Sequence, residues 1–428
     1  MWTAIARYGA RVLPETQPIL AAAAQRGQLV RGPHIEAFEK AFAARVGAPS
    51  ARAVSYGRMA FYHLLKAFDL PRGSEIVFPA LTFWVVPELA RAAGLVPVFA
   101  DVDPETFTLD PESLAHVITE RTRAVVPTHL WGLPCDMDPI MAIARQHGLI
   151  VIEDCAHALG ADYRGQPVGT IGDAGFFSLQ TLKPLNTHGG GMAVARDPRL
   201  MRRVSARIDA LPPPSPAGLA KRLRFGRLQR NIIRKGPFTC TLWPLMWLAS
   251  WPRLNVDVYL WEKIRPLDPL PPDYLERYSN AQAALGLAAL DHLDRWTRAT
   301  QAHAARLDGR LAGEPGVRRP ARPNNRTHVF YQYCAYVTDR DTVARRALRR
   351  GVDIETLHVD VCTRLPLFAE CPRDACTGAE RAADAVQLPV YESLTDHDID
   401  RVGDVIAAAT RAPAGAPIHT HRPQGRIS

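Results

Sequence analysis

The chain has 428 residues, 47% of them hydrophobic and 22% charged, enough to bury one large or two medium cores and too apolar for a disordered chain. Its net charge of +9 comes from one place: between positions 202 and 235 ten lysines and arginines face a single acid, Asp209, and the rest of the chain is formally neutral. That distribution excludes a generally basic nucleic-acid-binding surface, and no run reaches the roughly 18 apolar residues of a membrane-spanning helix.

The first eleven residues break their apolar positions with Arg7 and Arg11, so no cleaved signal peptide is expected. Helical patterns at 35–46 and 59–68 lead into a strand-like run at 74–78. A helix at 84–93, a strand at 96–100, a helix at 110–118, a strand at 124–127, a helix at 139–146 and a strand at 149–153 follow. Such alternation predicts a parallel, doubly wound α/β sheet. Ligands of these sheets bind beyond the carboxyl ends of the strands, where Asp154 and the turn at Gly57 fall. After a stretch of different composition, one long Ala- and Leu-rich helix is expected at 280–311, a strand at 330–337, and helices at 341–350 and 396–409, together a smaller α+β domain. The expected division is a large domain over 1–207 with an N-terminal arm over 1–30, an insertion over 208–272, a small domain over 273–411, and a disordered tail over 412–428. Seven cysteines, an odd number without paired spacing, point to a reduced, cytoplasmic setting.

The most informative stretch is Gly172-Asp-Ala-Gly-Phe-Phe-Ser-Leu-Gln-Thr-Leu-Lys183, followed by the glycine cluster Gly189-Gly-Gly191 and preceded by the strand-like run that ends in Asp154. An acid at the end of a buried strand and a lone lysine before a glycine cluster suit pyridoxal phosphate chemistry. The lysine forms a Schiff base with the cofactor, and the aspartate pairs with its ring nitrogen. Each residue has a plainer reading: Lys183 as a surface lysine, Asp154 as a strand-end cap, and His157, three residues on, as a satisfied structural histidine.

Several dispersed stretches occur in order: Phe78-Pro-Ala-Leu-Thr-Phe-Trp84, Pro97-Val-Phe-Ala-Asp-Val-Asp103, Pro127-Thr-His-Leu-Trp-Gly-Leu-Pro134, Glu153-Asp-Cys-Ala-His-Ala158 and Gln387-Leu-Pro-Val390. In these the chain resembles the DegT/DnrJ/EryC1/StrS family of pyridoxal-phosphate sugar aminotransferases, from about 32 to 409 with an interruption at 208–272. The resemblance implies the fold-type I transferase fold, a homodimer with shared active sites, a keto-sugar acceptor and an amino donor, glutamate. It also implies roles. His157 would stand beside the cofactor's phenolic oxygen, and Phe83 would stack on its ring, although Phe83 and Trp84 are equally suited to a core. Ser178 would contact the phosphate, and Gly57-Arg58-Met59 would form the phosphate turn into a helix, whose N–H groups and dipole suit an anion.

Three departures from the family pattern stand out. Arg58 replaces the usual Ser/Thr and offers the phosphate a guanidinium in place of a hydroxyl. Of the family's stretch that reaches the phosphate from the partner subunit, only Arg277 fits. The acidic position of the family's Gly-Glu-Gly-Gly is Gly189, preceded by His188.

Within the interruption, Lys221-Arg-Leu-Arg-Phe-Gly-Arg-Leu-Gln-Arg-Asn-Ile-Ile-Arg-Lys235 is followed by an apolar stretch to Trp251 that holds Trp243, Trp247 and Trp251, with a kink expected at Pro244. Cations beside a Trp-rich apolar patch suit a peripheral contact with the inner face of a membrane through 221–251. The competing reading is an aromatic dimer arm or a lid packed over the active site. Other pyridoxal phosphate chemistry, as a lyase or racemase on a non-sugar substrate, keeps the same lysine and stays open, as does a non-catalytic interaction protein. Zinc at Cys371 and Cys376 with His358 lacks the short paired spacing of a structural site, and no metal is expected.

Overall fold

The protein is described here by a computed structural model covering residues 3–251, 263–356 and 359–411; the tail expected at 412–428 and His358 lie outside the described residues. Seven strands build the main sheet: β1 (Ala51–Val54), β2 (Glu75–Pro79), β3 (Val96–Ala100), β4 (Thr122–Val125), β5 (Ile150–Asp154), β6 (Ala174–Ser178) and β7 (Gly191–Ala195). Their spatial order is β1-β7-β6-β5-β4-β2-β3. The run from β3 to β6 is parallel, and β7 and β1 close one edge antiparallel. The sheet is therefore mainly parallel, as the alternation of elements predicts.

Side chains alternate between the faces with the two-residue period of a strand. Ile76, Phe78, Phe99, Ala124 and Ile152 join one core cluster, while Val77, Val98, Val125 and Val151 join another on the opposite face. Both faces are covered, which is why these strands read as continuous apolar runs. Helix α1 (Gly57–Phe68) packs on the first face. It begins after Tyr56, whose backbone is extended, whose side chain makes no cap bond and whose carbonyl accepts the N–H groups of Met59 and Ala60 at 3.0 and 3.2 Å.

The region expected as one helix at 280–311 is two, Asn280–Leu290 and Leu293–Leu311. The first half packs on His34–Val46 and the second on Asp396–Arg411. A short break at Asp291 and His292 lets each half meet a different partner. The C-terminal part holds a three-stranded antiparallel sheet of β8 (Val317–Arg318), β9 (Tyr333–Val337) and β10 (Ala385–Leu388) in the order β8-β9-β10. Its core draws on Leu307, Val343, Val402 and Ile406 from the surrounding helices.

The segment between the two parts contains α2 (Pro216–Ile232) and α3 (Leu242–Ala249), with a short helix Lys235–Cys240 between them. The expected kink falls at Thr241, whose φ of −120° and ψ of −78° leave the helical region. The Pro244 ring obstructs the carbonyl four residues earlier, at Cys240, so the chain breaks there and restarts with Pro244 tolerated in the new first turn.

Candidate active site

Strand β5 delivers Asp154 to the carboxyl edge of the sheet. Its backbone is pinned on both sides: Asp154 N–H donates to the Pro127 carbonyl at 2.9 Å, and His129 N–H donates to the Asp154 carbonyl at 3.0 Å. Because β6 is parallel to β5 and β7 is antiparallel to β6, the β6–β7 connection emerges at that same edge and carries Lys183. The connection is tied to itself by Leu179 N–H to the Gly190 carbonyl at 2.9 Å and Lys183 N–H to the Gln180 carbonyl at 3.0 Å. A cavity of about 230 Å³ opens here, lined among others by Gly57, Arg58, Phe83, Asp154, His157, Ser178 and Lys183.

Burial dominates the electrostatics. The Asp154 carboxyl is pushed up to about 6 by burial, against the Ala156 N–H it accepts and the nearby positive Lys183. The Lys183 ammonium is pushed down to about 7 by burial and by the Arg58 charge, with Asp154 pulling the other way. A lysine neutral near pH 7 is a competent nucleophile, and a buried carboxylate with no ion-pair partner among the described residues suits a cation on a bound ligand. Gly57, which also lines the cavity, is pressed so close to the end of β6 that a Cβ there would lie 2.9 Å from Ser178 Cα. Gly57 at the start of α1, the Ser178 side chain and Arg58 all line the cavity, and a helix start, a hydroxyl and a guanidinium are groups that suit an anion. An amine nucleophile, a cation partner and an anion cradle around one cavity fit pyridoxal phosphate.

The remaining residues divide. Phe83 lines the cavity, whereas Trp84 is 2% exposed and belongs to the core. His157 Nδ1 accepts from the Trp131 N–H at 3.3 Å, which places the proton of the neutral ring on Nε2, and the ring stacks on Tyr331 at 4.3 Å. Arg58 lies 5.2 Å from the Phe83 ring and 5.4 Å from the Tyr274 ring, and donates to the Tyr274 hydroxyl. Met59 is fully buried in the core and does not line the cavity. Arg277 is also outside the lining: its backbone bridges Val54 of β1 and donates to the Pro212 carbonyl.

Sequence reasoning missed several participants. Tyr331, whose ring centre is 4.8 Å from Lys183 Nζ, comes from the C-terminal part. Arg11 of the N-terminal arm donates to the carbonyl of Pro184, next to Lys183, at 2.6 Å. Thr82 and Thr128, which follow strands β2 and β4, line the cavity, and Gln229 reaches it from α2.

Helix α2 also accounts for a departure from the family pattern. A Cβ on Gly226 would lie 2.7 Å from the His188 ring, and a Cβ on Gly189, where φ is +120°, would lie 3.2 Å from Arg222 Cδ. Arg222 in turn lies 5.2 Å from the Tyr56 ring and pairs with Glu276 at 3.4 Å. A glutamate at position 189 would compete with α2 for this space, so Gly189 and α2 go together. Among the described residues, the one cluster with metal-ligating atoms close together is His129, Glu153 and Cys155. Glu153 already accepts the N–H groups of Gly169, Ile171 and Gly172, and His129 Nδ1 accepts that of Cys135, so it reads as a structural network.

A mainly parallel doubly wound sheet, a second smaller sheet, and a lysine and a buried aspartate at the sheet's carboxyl edge define a pyridoxal-phosphate-dependent transferase of fold type I. The DegT/DnrJ/EryC1/StrS aminotransferase family model matches residues 13–208 and 263–407, and the chain belongs to that family. It is 31% identical over 403 residues, 92% of each chain, to the spore coat polysaccharide biosynthesis protein SpsC of Bacillus subtilis, and 31% identical over 382 residues, 87% of this chain and 88% of the other, to the GDP-perosamine synthase of Caulobacter vibrioides. Among solved structures it is similar to DesI with its TDP-sugar product, at a TM-score of 0.75 and 27% identity over 96% of this chain and 94% of that one. The family match leaves out 209–262, the part that holds α2 and α3.

Proposed function

We propose that this aminotransferase moves an amino group from glutamate to the keto group of a nucleotide-linked or lipid-linked sugar, in the synthesis of a cell-surface glycan or secondary metabolite. The observation that carries the reading is the opening of Asp154 and a low-pKa Lys183 onto one cavity of about 230 Å³ in a chain whose relatives include a perosamine synthase. Bound pyridoxal phosphate supplies the electron sink and carries the amino group between the two substrates. Lys183 would hold the cofactor covalently at rest and, as a free amine, would take the proton from the amine-bearing carbon of the donor and deliver one to the carbonyl carbon of the acceptor as it gains nitrogen. Asp154 would keep the cofactor's ring nitrogen protonated, and that opposite charge would in turn hold the buried carboxylate ionised. His157 would donate from Nε2 toward the phenolic oxygen, Phe83 would pack on the ring, and Gly57, Arg58 and Ser178 would hold the phosphate; Met59, whose N–H donates to the Tyr56 carbonyl at 3.0 Å, would serve only to begin the helix.

The chain acts as a cytoplasmic homodimer divided as expected from the sequence, with Arg277 given to the partner's phosphate site. Its place outside the cavity of its own chain supports that assignment. Segment 221–251 makes a peripheral contact with the inner face of a membrane. A half-reaction tests the chemistry: glutamate should discharge the absorbance of the lysine-bound cofactor, and a matching keto-sugar should restore it. A protein that keeps its absorbance with every amino donor is a lyase, a racemase or a binding protein.

A further inference from the structure

The large apolar side chains most exposed in the described protein all lie in the segment outside the family match: Phe225 (64%) and Leu228 (62%) on α2, Leu245 (63%) and Leu248 (60%) on α3, and Trp251 (58%) just beyond it. On α2 they share one stripe with exposed Lys221, Arg224 and Arg227, three or four residues apart. No carboxylate of a described residue pairs with these three cations. On α3, Leu245, Leu248 and Trp251 recur at intervals of three and form a second stripe. The segment is well anchored on its buried side: Gly226 of α2 packs on His188, Lys235 of the short connecting helix pairs with Asp398 at 2.6 Å, and Trp243 Nε1–H of α3 donates to the Leu348 carbonyl at 2.9 Å. The exposed stripes are therefore faces of a fixed element.

We infer that these stripes seat the enzyme on an anionic bilayer, with the lip of the active-site cavity turned toward the lipid. Charge selects the occupant. From Ala210 to Trp251 there is not one acidic residue. A second copy packed on this patch across a two-fold axis would set cations against cations with no counter-charge in the patch, whereas anionic headgroups answer the cations and the acyl boundary accepts Phe, Leu and Trp. Among the described residues no helix is long and apolar enough to cross a membrane, so the contact is superficial. Orientation follows from α2: Phe225 and Gln229 are four residues apart, about 40° around the helix. One side chain is exposed and the other lines the cavity. This rests on the reading above for the location of the enzyme and for the use of its cavity, and it names the lipid and the surface that meet there.

The test uses the full-length holoenzyme and sedimentation with vesicles of phosphatidylglycerol and phosphatidylcholine at about 3:7, with phosphatidylcholine alone as control. The expected result is binding to the anionic vesicles only, loss of binding at about 0.5 M salt, and an affinity at least about tenfold lower in Arg224→Glu/Arg227→Glu. Phe225→Ser/Leu228→Ser and Leu245→Ser/Leu248→Ser should each weaken binding while leaving the glutamate half-reaction and the oligomeric state unchanged. Two outcomes overturn the inference: an intact protein that ignores anionic vesicles, or serine variants that dissociate the oligomer, which would assign the patch to a second copy. The half-reaction is read separately, so a failed lipid contact and a failed aminotransferase assignment are told apart.

Discussion

The cofactor cavity and the α2–α3 segment depart in opposite directions from the ordinary division of apolar inside and charged outside. In the cavity Asp154 is 3% exposed and Lys183 is pushed down to about 7 by burial; on α2 and α3, Phe225, Leu248 and Trp251 each keep more than half of their surface in water. Each departure costs stability and so points to a ligand that would relieve it. A desolvated carboxylate calls for a cation, and an exposed apolar stripe among cations calls for a surface both apolar and anionic. The two regions meet at Gln229, so one helix serves both.

The comparison breaks most sharply at Lys183. Lys183→Ala should remove covalently held cofactor and lower turnover by at least about 10³-fold, with the fold intact by circular dichroism. Residual turnover near wild type would mean that another base acts. Asp154→Asn keeps shape and removes charge, and should lower kcat/KM by roughly 10²-fold, the scale of one positioned group acting on developing charge. A change below about threefold would reduce Asp154 to a strand-end cap. Arg58→Ala should weaken cofactor binding by one to two orders of magnitude, as for a charged hydrogen bond of about 1.5–3 kcal/mol. An unchanged cofactor dissociation constant would leave Arg58 as a brace for the Phe83 and Tyr274 rings it adjoins.

Gly226→Ala sharpens the other side of the comparison. The added methyl meets His188 at 2.7 Å and should cost about 1–3 kcal/mol of stability, read by denaturant titration, while raising KM for the acceptor through a displaced Gln229. An unchanged KM would confine α2 to a structural role. The smallest effect is a pH dependence. With cofactor removed, Lys183 is protonated below its depressed pKa, so its reaction with an aldehyde or an amine-directed reagent should switch on as pH rises through about 7. A midpoint near the ordinary lysine value of about 10.4 would mean that burial does not act on it.

What was legible in the sequence is what is local. Asp154 closes an apolar run that becomes β5, and the order of Ser178, Lys183 and the glycine cluster is read directly from the sequence; the strand Ala174–Ser178 that brings them to the same edge was not among the expected elements. Phe83 was separated from Trp84 only by the fold, which turns one ring to the cavity and the other to the core. Tyr331, Arg11 and Gln229 carry no local mark: they arrive from the small sheet's lead-in, the N-terminal arm and the inserted helix, each distant in sequence from Lys183. The same limit hid the break at Asp291 and His292. Composition supports a single helix there, and the division reflects two separate packing partners. For the 221–251 segment the sequence supplied the composition and left the placement open; α2 forms a cavity wall, as a lid would, and keeps an exposed stripe, as a membrane element would.

The most direct measurement of the central claim is reduction of the native holoenzyme with borohydride followed by peptide mapping. The account predicts a single pyridoxyl-modified peptide carrying the adduct on Lys183, with none formed after prior incubation with excess glutamate. An adduct on any other lysine, or none at all in a protein that binds the cofactor stoichiometrically, would contradict it.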